Sequence, residues 1–306
     1  MFESVARHLS FSRAAEELHL TQPAVSIQVS KLEEHAGVAL FEQLGKKVYL
    51  TPAGHEMLRS SRAIIQQFQE TEAAMAHFKG VRGGKLSVGV ISAGDYYFPR
   101  LLVDFMRRHA GATLDFAVYN RQELLGRLAD NLTDLAVMVR PPLNADTVNE
   151  AFAPHPYVIL ASPGHPLAGK PRIALARLAG EPFVVREKGS DTSHAMREFF
   201  GDRINSLNIS MEIRSTETIK QAVMAGMGLG FLSAHTISRE LRAGSLAVLD
   251  VKGLPLMMNW YVVHRQNKRL PPVAQAFKDY LIQDGAGQIE KILGVDPQPA
   301  GKKQAL

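Results

Sequence analysis

Two closely spaced helix starts within the first thirty-five residues constrain this chain most. Ser12 precedes a short helix predicted over 13–18, and serine is a preferred residue at a helix N-cap. A second helix, predicted over 22–34, opens at Thr21-Gln22-Pro23, where threonine can cap and proline is tolerated in the first turn. Three residues separate the two helices, so the pattern predicts a helix-turn-helix.

The residues around this turn fit that motif. Ala15 stands where a small residue is needed at the helix crossing, His19 lies in the turn in place of the glycine that many such turns carry, and Val25 lies under the second helix. An earlier apolar period of three and four, from Phe2 to Leu9, predicts a first helix. The predicted shared core is Leu18, Leu20, Val25, Val29 and Leu32.

The outward face of the second helix carries side chains that can read DNA bases. Glutamine can bond an adenine edge in two places, serine can bond a base or a phosphate, and isoleucine can contact a thymine methyl group. Such a composition alone is more typical of an ordinary solvated face, but the adjoining turn favours DNA. The predicted contacts on this helix are Thr21, Gln22, Pro23, Ser26, Ile27, Gln28 and Lys31.

A β-wing is predicted beyond this helix. Two short apolar runs, 37–41 and 48–50, bracket a turn that carries Lys46 and Lys47. A lysine pair on a turn is usually a solvated loop. Beside a helix-turn-helix it favours contact with DNA phosphates.

A long helix follows, predicted over 55–80, with apolar residues that alternate by four and three. This period indicates a dimerisation seam of about three heptads, although a helix packed on its own domain would look similar. Ser61 and Thr71 interrupt the seam, so we expect the C-terminal domains to help hold the dimer. The predicted dimer contacts are Met57, Ile64, Phe68, Met75 and Phe78. The glycine-rich segment 81–84 predicts a hinge.

From Lys85 the pattern changes to alternating strands and helices, which predicts parallel sheets. We expect two Rossmann-like lobes: lobe I over about 85–153 and 257–285, and lobe II over about 154–256. The predicted domains are thus 1–54, 55–80 and 85–285, with a poorly ordered tail over 286–306.

Ligands of such sheets bind beyond the carboxyl ends of the strands. Several arginines and two predicted helix starts lie there, which favours an acidic or phosphorylated ligand. A single surface arginine is common, so the joint placement carries the prediction. The predicted ligand-binding residues are Ser92, Ala93, Gly94, Asn120, Arg121, Arg140, Arg186, Ser190 and Thr192.

The glycines of the segment 226–230 do not predict a dinucleotide loop. They follow a helix and precede a strand, which is the reverse of the required order, so a helix C-cap and turn is favoured.

Composition excludes several classes of chemistry. The chain has no cysteine, and its eleven histidines show no HExxH spacing, so we assign no metal, no cofactor and no enzymatic activity. The net charge of +5 does not locate a DNA-binding domain, because residues 1–84 carry nine basic and nine acidic side chains. Neither a signal peptide nor a membrane span is evident, which predicts a cytoplasmic protein.

The N-terminal third resembles the LysR-type transcription regulators. The resemblance rests on 12–26, on Leu32-Glu33 and Leu40-Phe41, and on 50–54, and it continues through the strands and helices of the second part of the chain. It implies an α/β chain of two domains: a winged helix-turn-helix, a long linker helix and a periplasmic-binding-protein-like domain of two lobes. The family has several more residues before the segment that resembles Phe2, so we expect a short first helix.

Within the family, three stretches are most similar to regulators of the Calvin-cycle carbon dioxide fixation operon. These are 41–51, 119–124 and 233–241. This resemblance implies a transcriptional activator, a homodimer that assembles into a homotetramer on operator DNA, and a phosphorylated metabolite or NADPH as effector. Regulation of another metabolic operon is the first alternative. A solute-binding protein would share the two lobes but would lack the helix-turn-helix.

Overall fold

The computed structural model describes residues 1–45, 47–78, 84–143 and 146–294, with the backbone alone at 69, 70 and 72–78. The predictions for Lys46, for the side chains of Met75 and Phe78, and for most of the hinge lie outside the described residues. The chain divides into two compact units, one of which comprises Met1–Met75 and the other most of the remaining residues. Over these ranges, no helix has the length and apolar character needed to cross a membrane.

The first unit contains three short helices, a hairpin and the start of a long helix. Its elements are α1 (Phe2–His8), α2 (Phe11–Glu17), α3 (Gln22–Ala36), β1 (Phe41–Leu44), β2 (Lys47–Leu50) and α4 (Pro52–Phe78). The antiparallel hairpin of β1 and β2 is the predicted wing. The helix-turn-helix and the wing are therefore confirmed.

The helix caps agree with the prediction at α3 and differ at α2. The Thr21 hydroxyl accepts a hydrogen bond from the Ala24 amide, and Gly37 ends α3 in the left-handed conformation. The predicted cap at Ser12 is wrong, because α2 begins two residues earlier and Ser10 accepts from the Arg13 amide. The turn between the two helices places His19 at φ 53°, which explains why glycine suits this position.

Two small apolar clusters hold the first unit together. One packs the inner faces of α1, α2 and α3, and the other packs α1 against the wing and the start of α4. Leu20 was predicted in the shared core, but it is exposed because it lies in the turn after α2. The buried members of the clusters are Phe2, Val5, Ala6, Ala14, Ala15, Val25, Val29, Leu40 and Leu58.

The second unit alternates strands and helices around a large core that reaches into both lobes and a smaller core in lobe II. Its elements are β3 (Gly84–Ile91), α5 (Phe98–Arg108), β4 (Ala112–Tyr119), α6 (Arg121–Ala129), β5 (Leu135–Met138), β6 (Thr147–Ala161), β7 (Pro182–Arg186), α7 (Asp191–Phe200), β8 (Asn208–Ile213), α8 (Thr216–Met224), β9 (Leu229–Ser233), α9 (Ser238–Arg242), β10 (Ala247–Val248), β11 (Leu256–Arg265) and α10 (Pro272–Leu293).

The strands form one mixed sheet in the order β4-β3-β5-β11-β6-β9-β7-β8, with β10 paired to β6. In lobe I, β3 lies parallel to β4 and β5, and in lobe II, β7 lies parallel to β8 and β9. The two parallel groups are joined by β6 and β11, which pair with each other antiparallel. This arrangement brings the carboxyl ends of both parallel groups towards the junction of the lobes.

Two elements extend beyond their predicted ranges. The first part of β6, 147–156, was not predicted, because Pro154 and Pro156 interrupt its apolar pattern. Helix α10 continues to Leu293, so the predicted tail is wrong over 286–293, where Ile289 and Leu293 are buried. The prediction for 295–306 lies outside the described residues.

The turn at 226–230 is a helix end, as predicted. Helix α8 ends at Met224, Gly226 follows at φ 83°, and β9 begins at Leu229. A Cβ at Gly228 would lie 2.3 Å from the carbonyl oxygen of Pro182, so this glycine serves a close backbone approach.

Candidate functional site

The outward face of α3 is open to solvent. Ile27 is 55% exposed, although it is a large apolar side chain that brings no benefit there to folding. Gln22, Pro23, Gln28 and Lys31 are also exposed, and Ser26 is half-buried. The predicted reading residues therefore share one accessible face, except that the Thr21 hydroxyl is already engaged as the N-cap.

Glu33 ties this helix to the wing. Its Oε1 accepts hydrogen bonds from the backbone amides of Leu40 at 2.8 Å and Phe41 at 3.0 Å. Because both amides lie at the start of β1, one carboxylate fixes the direction in which the hairpin leaves α3. Lys47, at the start of β2, is exposed. This positioning role of Glu33 was not predicted.

The predicted dimer residues of α4 separate into two groups. Met57 is partly buried against the cluster around Leu58, so it contributes to the core of its own unit. Ile64 and Phe68, two and three turns further on, are 70% and 65% exposed. No contact within the described part of the chain accounts for this exposed apolar pair, which fits the predicted dimer seam.

The predicted ligand site in the second unit contains a small ion cluster at the junction of the lobes. Arg121 begins α6 and Arg140 follows β5, both in lobe I, whereas Asp191 begins α7 in lobe II. Asp191 Oδ1 lies 3.2 Å from Arg121 Nε and 3.6 Å from Arg140 Nε. Two cations therefore face one carboxylate, which leaves a surplus of one positive charge.

The two arginines differ in how their donors are used. Arg121 Nε and Nη2 donate to the backbone carbonyl of Arg140, at 3.2 and 3.0 Å. Arg140 Nε is buried and finds no hydrogen-bond partner among the residues that the structure describes. Since an arginine donor without a partner is costly inside a protein, Arg140 is the side chain best placed to bind an added anion.

The ionised carboxylate of Asp191 is unfavourably buried in this cluster. Its carboxyl is buried, and burial raises its pKa although Arg121 and Arg140 act in the opposite direction. Burial also lowers the pKa of Arg121, against the effect of Asp191. The attraction within the cluster therefore does not fully offset the loss of hydration of the carboxylate.

Arg186 was predicted to bind ligand, but its donors are already engaged. Its Nε and Nη2 donate to the two carboxylate oxygens of Glu187 at 2.8 and 2.9 Å. Its Nη1 donates to Thr216 Oγ1 at 2.9 Å and to Ser92 Oγ at 3.2 Å. The geometry assigns Arg186 to joining the lobes, because Ser92 belongs to lobe I.

The remaining predicted residues mostly serve local structure. Ser92–Gly94 form a short 3₁₀ turn, and α5 starts only at Phe98, so the turn does not open that helix as predicted. Asn120 caps α6 by accepting from the Glu123 amide. Ser190 caps α7 by accepting from the Ser193 amide, and Thr192 is buried in the first turn of that helix.

A group of buried aromatic residues lies at the same junction and was not predicted. Tyr97 precedes α5, His155 and Tyr157 lie on β6, and Trp260 lies on β11. His235 follows β9 and packs against this group. Alternating apolar residues on a strand are typical of core and of binding residues alike. Only the position of β6 at the lobe junction could have distinguished His155 and Tyr157 as candidate binding residues. Within the described ranges, no group of three histidine, aspartate or glutamate side chains could hold a metal ion.

Both units match known families of bacterial regulators. Residues 1–55 match the model for a bacterial regulatory helix-turn-helix protein of the lysR family. Residues 79–286 match the LysR substrate-binding domain. The chain belongs to the LysR family of transcription regulators.

Relatives along the whole chain agree with this assignment. The chain is 48% identical over 286 residues to the RuBisCO operon transcriptional regulator of Allochromatium vinosum, covering 94% of this chain and 95% of that one. It is 44% identical over 281 residues to the regulator CbbR of Rhodospirillum rubrum, covering 92% and 93%.

A solved structure of a relative carries a ligand. The regulatory domain of CcmR from Synechocystis PCC6803, in complex with 2-PG, superposes with a TM-score of 0.62 at 36% identity, covering 65% of this chain and 96% of that one. The recognition of the family, made from the N-terminal motif, is confirmed.

Proposed function

We propose that this protein is a regulator of carbon dioxide fixation genes whose operator binding is modulated by a small anionic effector. The relatives that share 43–48% of its residues and are named for RuBisCO operons support the target genes. The open face of α3 beside the wing supports binding of double-stranded DNA, and hence action in the cytoplasm as a regulator and not as an enzyme. This face is the observation that carries the proposal.

Base reading by α3 rests on side chains that have no structural duty there. Gln28 and Lys31 are exposed on a helix that Glu33 holds against the wing. The wing then offers Lys47 to a phosphate, with Lys46 beside it in the sequence. Base contacts select the sequence, whereas phosphate contacts orient the protein.

We expect Gln28→Ala and Ser26→Ala to lower the preference for operator over random DNA by roughly 5- to 150-fold, which corresponds to about 1–3 kcal/mol per lost base contact. Nonspecific binding should change little, because neither side chain is charged. Fluorescence anisotropy with both DNAs measures the two affinities. Gln275→Ala, an exposed change on α10, is the matched control. Equal losses on both DNAs would refute base reading.

The effector site is proposed around Arg140 and Arg121. The surplus positive charge supports an anionic ligand, as does Arg140 Nε, which has no hydrogen-bond partner among the described residues. The 2-PG complex of the CcmR regulatory domain supports a small ligand for this domain. We propose a phosphorylated metabolite, with NADPH as the second candidate.

Arg140→Ala should leave operator binding in the absence of ligand unchanged. It should lower the affinity for the effector by about tenfold or more, since a charged hydrogen bond contributes about 1.5–3 kcal/mol. A thermal-shift screen of the full-length protein against 2-PG, phosphorylated sugars, phosphoenolpyruvate and NADPH identifies the effector, because a ligand of the native state raises the Tm. Arg177→Ala, which removes an exposed arginine, is the control.

An unchanged effector titration for Arg140→Ala would place the ligand elsewhere. Stabilisation only by unphosphorylated aromatic or amino-acid ligands would leave a LysR-type regulator of another metabolic operon as the better assignment.

Self-association is proposed through α4 and the edges of the second unit. The exposed Ile64 and Phe68 suit a dimer seam. The edge strand β4 with α5 exposes Leu114 and Val103, and the opposite edge strand β8 exposes Ile209. Apolar residues at both sheet edges support contacts between copies of this domain, and thus a dimer that can assemble further into a tetramer.

A further inference from the structure

Four rings form a cluster at the lobe junction, which we call the ring cluster: Tyr97, His155 and Trp260 are buried, and His235 is half-buried. The His155 ring lies 4.5 Å from Trp260 and 5.2 Å from His235, between ring centres. The Tyr97 ring lies 5.7 Å from Trp260 and 5.8 Å from His235. Tyr97, from lobe I, and His155, from strand β6 that joins the lobes, therefore pack against the same two rings, those of Trp260 and His235.

The polar atoms of this cluster are only partly satisfied. Trp260 Nε1 donates to His235 Nδ1 at 3.3 Å. In contrast, both ring nitrogens of His155 and the Tyr97 hydroxyl are buried without a hydrogen-bond partner among the described residues. Both side chains are 0% exposed. A core histidine that serves packing alone would be expected to bond at least one nitrogen, because leaving both unpaired is costly.

The protonation of these groups defines the chemistry that they offer. Burial lowers the pKa of His155 well below its ordinary value, so the imidazole is neutral and presents one donor and one acceptor. Burial likewise raises the pKa of Tyr97, which keeps its hydroxyl protonated. A hydroxyl or carbonyl group matches this set, whereas an additional charge does not.

Tyr157 connects the ring cluster with the arginines. Its ring centre lies 4.7 Å from that of His155. Burial raises the pKa of the Tyr157 hydroxyl, and the charges of Asp191, Arg186 and Arg140 also act on it. The unpartnered groups and the arginine cluster are thus neighbours across one tyrosine side chain.

We propose that Tyr97 and His155 bind a neutral hydroxyl or carbonyl group of the same ligand whose anionic group binds Arg140 and Arg121. The effector is then a phosphate ester that carries a hydroxyl or carbonyl group a few atoms from its phosphate. This inference rests on the proposed function, since it requires the anion at the arginines.

The test compares two probes of equal carbon length with the full-length protein. Glycerol 3-phosphate carries hydroxyl groups and propyl phosphate does not. Calorimetric titration should give a five- to tenfold tighter Kd for glycerol 3-phosphate, roughly the effect of one or two net hydrogen bonds. Trp260 is the single tryptophan of the chain, so its emission should respond to glycerol 3-phosphate and not to propyl phosphate.

Tyr97→Phe and His155→Phe should each reduce that preference to less than about twofold and leave the Kd of propyl phosphate unchanged. Tyr97→Phe should retain the Tm, because it removes only a hydroxyl group that makes no hydrogen bond within the described protein. His155→Phe places a larger ring in a fully buried site and should lower the Tm modestly. Tyr280→Phe is the matched control, since its hydroxyl also lacks a hydrogen-bond partner among these residues, but Tyr280 lies on α10 and its ring packs against Phe105 of α5.

Equal affinity for the two probes, or a preference that survives both substitutions, would overturn the inference. If phosphate binding still depended on Arg140 in that case, the proposed function would stand. Failure of both probes and of inorganic phosphate to bind would refute the anionic effector itself and this inference with it.

Discussion

Gly54→Ala is expected to abolish DNA binding by unfolding the first unit. A Cβ at Gly54 would lie 2.0 Å from the carbonyl oxygen of Leu40 and 2.9 Å from Leu50 Cδ2. The carbonyl cannot move away freely, because it accepts a hydrogen bond from the Thr51 amide. Thr51 in turn bonds the Ala39 carbonyl and the Gly54 amide, so the whole corner between wing and α4 is fixed.

We expect a loss of about 3 kcal/mol or more, at the upper end of overpacking effects. For a unit of this size, such a loss lowers the Tm by roughly 12 °C or more. Calorimetry of the full-length variant measures the unfolding transition of the first unit. Titration with glycerol 3-phosphate reports on the second unit, and its Kd should be unchanged.

Gly126→Ala provides the control for this change. Gly126 lies within α6, and a Cβ there meets nothing within 4 Å. Alanine should stabilise this helix by about 0.5–1 kcal/mol. A variant at Gly54 that keeps both its Tm and its affinity for DNA would show that α4 does not pack on Leu40 as described.

The second large effect is expected at Asp191, where Asp191→Asn should tighten the binding of an anionic effector by at least about tenfold. Asp191 faces both arginines at 3.2 and 3.6 Å, so an added anion must compete with its carboxylate. At an effective dielectric constant near 20, a pair of charges 4 Å apart interacts by about 4 kcal/mol, so a tenfold change of about 1.4 kcal/mol is a modest share.

Stability should not suffer from this substitution. The pKa of Asp191 is raised above its ordinary value of 3.8, so the folded chain holds this proton more tightly than the unfolded chain. That stabilisation is present below pH 3.8 and is lost as the pH rises through the folded pKa. At neutral pH the ionised carboxylate therefore costs stability, and asparagine removes the charge while it keeps the shape.

Calorimetric titration with the effector from the screen, together with the Tm between about pH 4 and 8, measures both effects. Asp202→Asn, in an exposed turn after α7, is the matched control. A lower affinity of Asp191→Asn for the effector, or a lower Tm at neutral pH, would mean that Asp191 supports the site and does not compete with the effector for the arginines.

Local signals in the sequence were sufficient for the helix-turn-helix, the wing and the alternation of strands and helices. Thr21, Pro23 and Gly37 act within one helix, so their effect is visible without the rest of the molecule. The full length of β6 could not be predicted in this way. Pro154 and Pro156 interrupt its local pattern, and the strand continues across them in its pairing with the distant β11. The end of α10 likewise depends on burial of Ile289 against the core.

Only some residues of the proposed ligand site could be predicted from the sequence. Arg121 and Arg140 were singled out because they follow strands, and the fold brings them together. Arg186 follows the same rule, yet its partners Glu187 and Thr216 occupy it. Such pairing depends on the orientation of side chains from distant segments. For the same reason Asp191 and His155 were missed, since nothing in their own neighbourhood distinguishes them.

Operator binding with and without effector tests the central claim most directly. Full-length protein is titrated by fluorescence anisotropy into DNA from upstream of carbon dioxide fixation genes and into random DNA of equal length, each with and without the phosphorylated ligand found by thermal shift. We predict tighter binding to the upstream DNA and a severalfold change of that Kd with ligand, which Arg140→Ala removes. Equal affinity for both DNAs, unaltered by the ligand, would contradict the account.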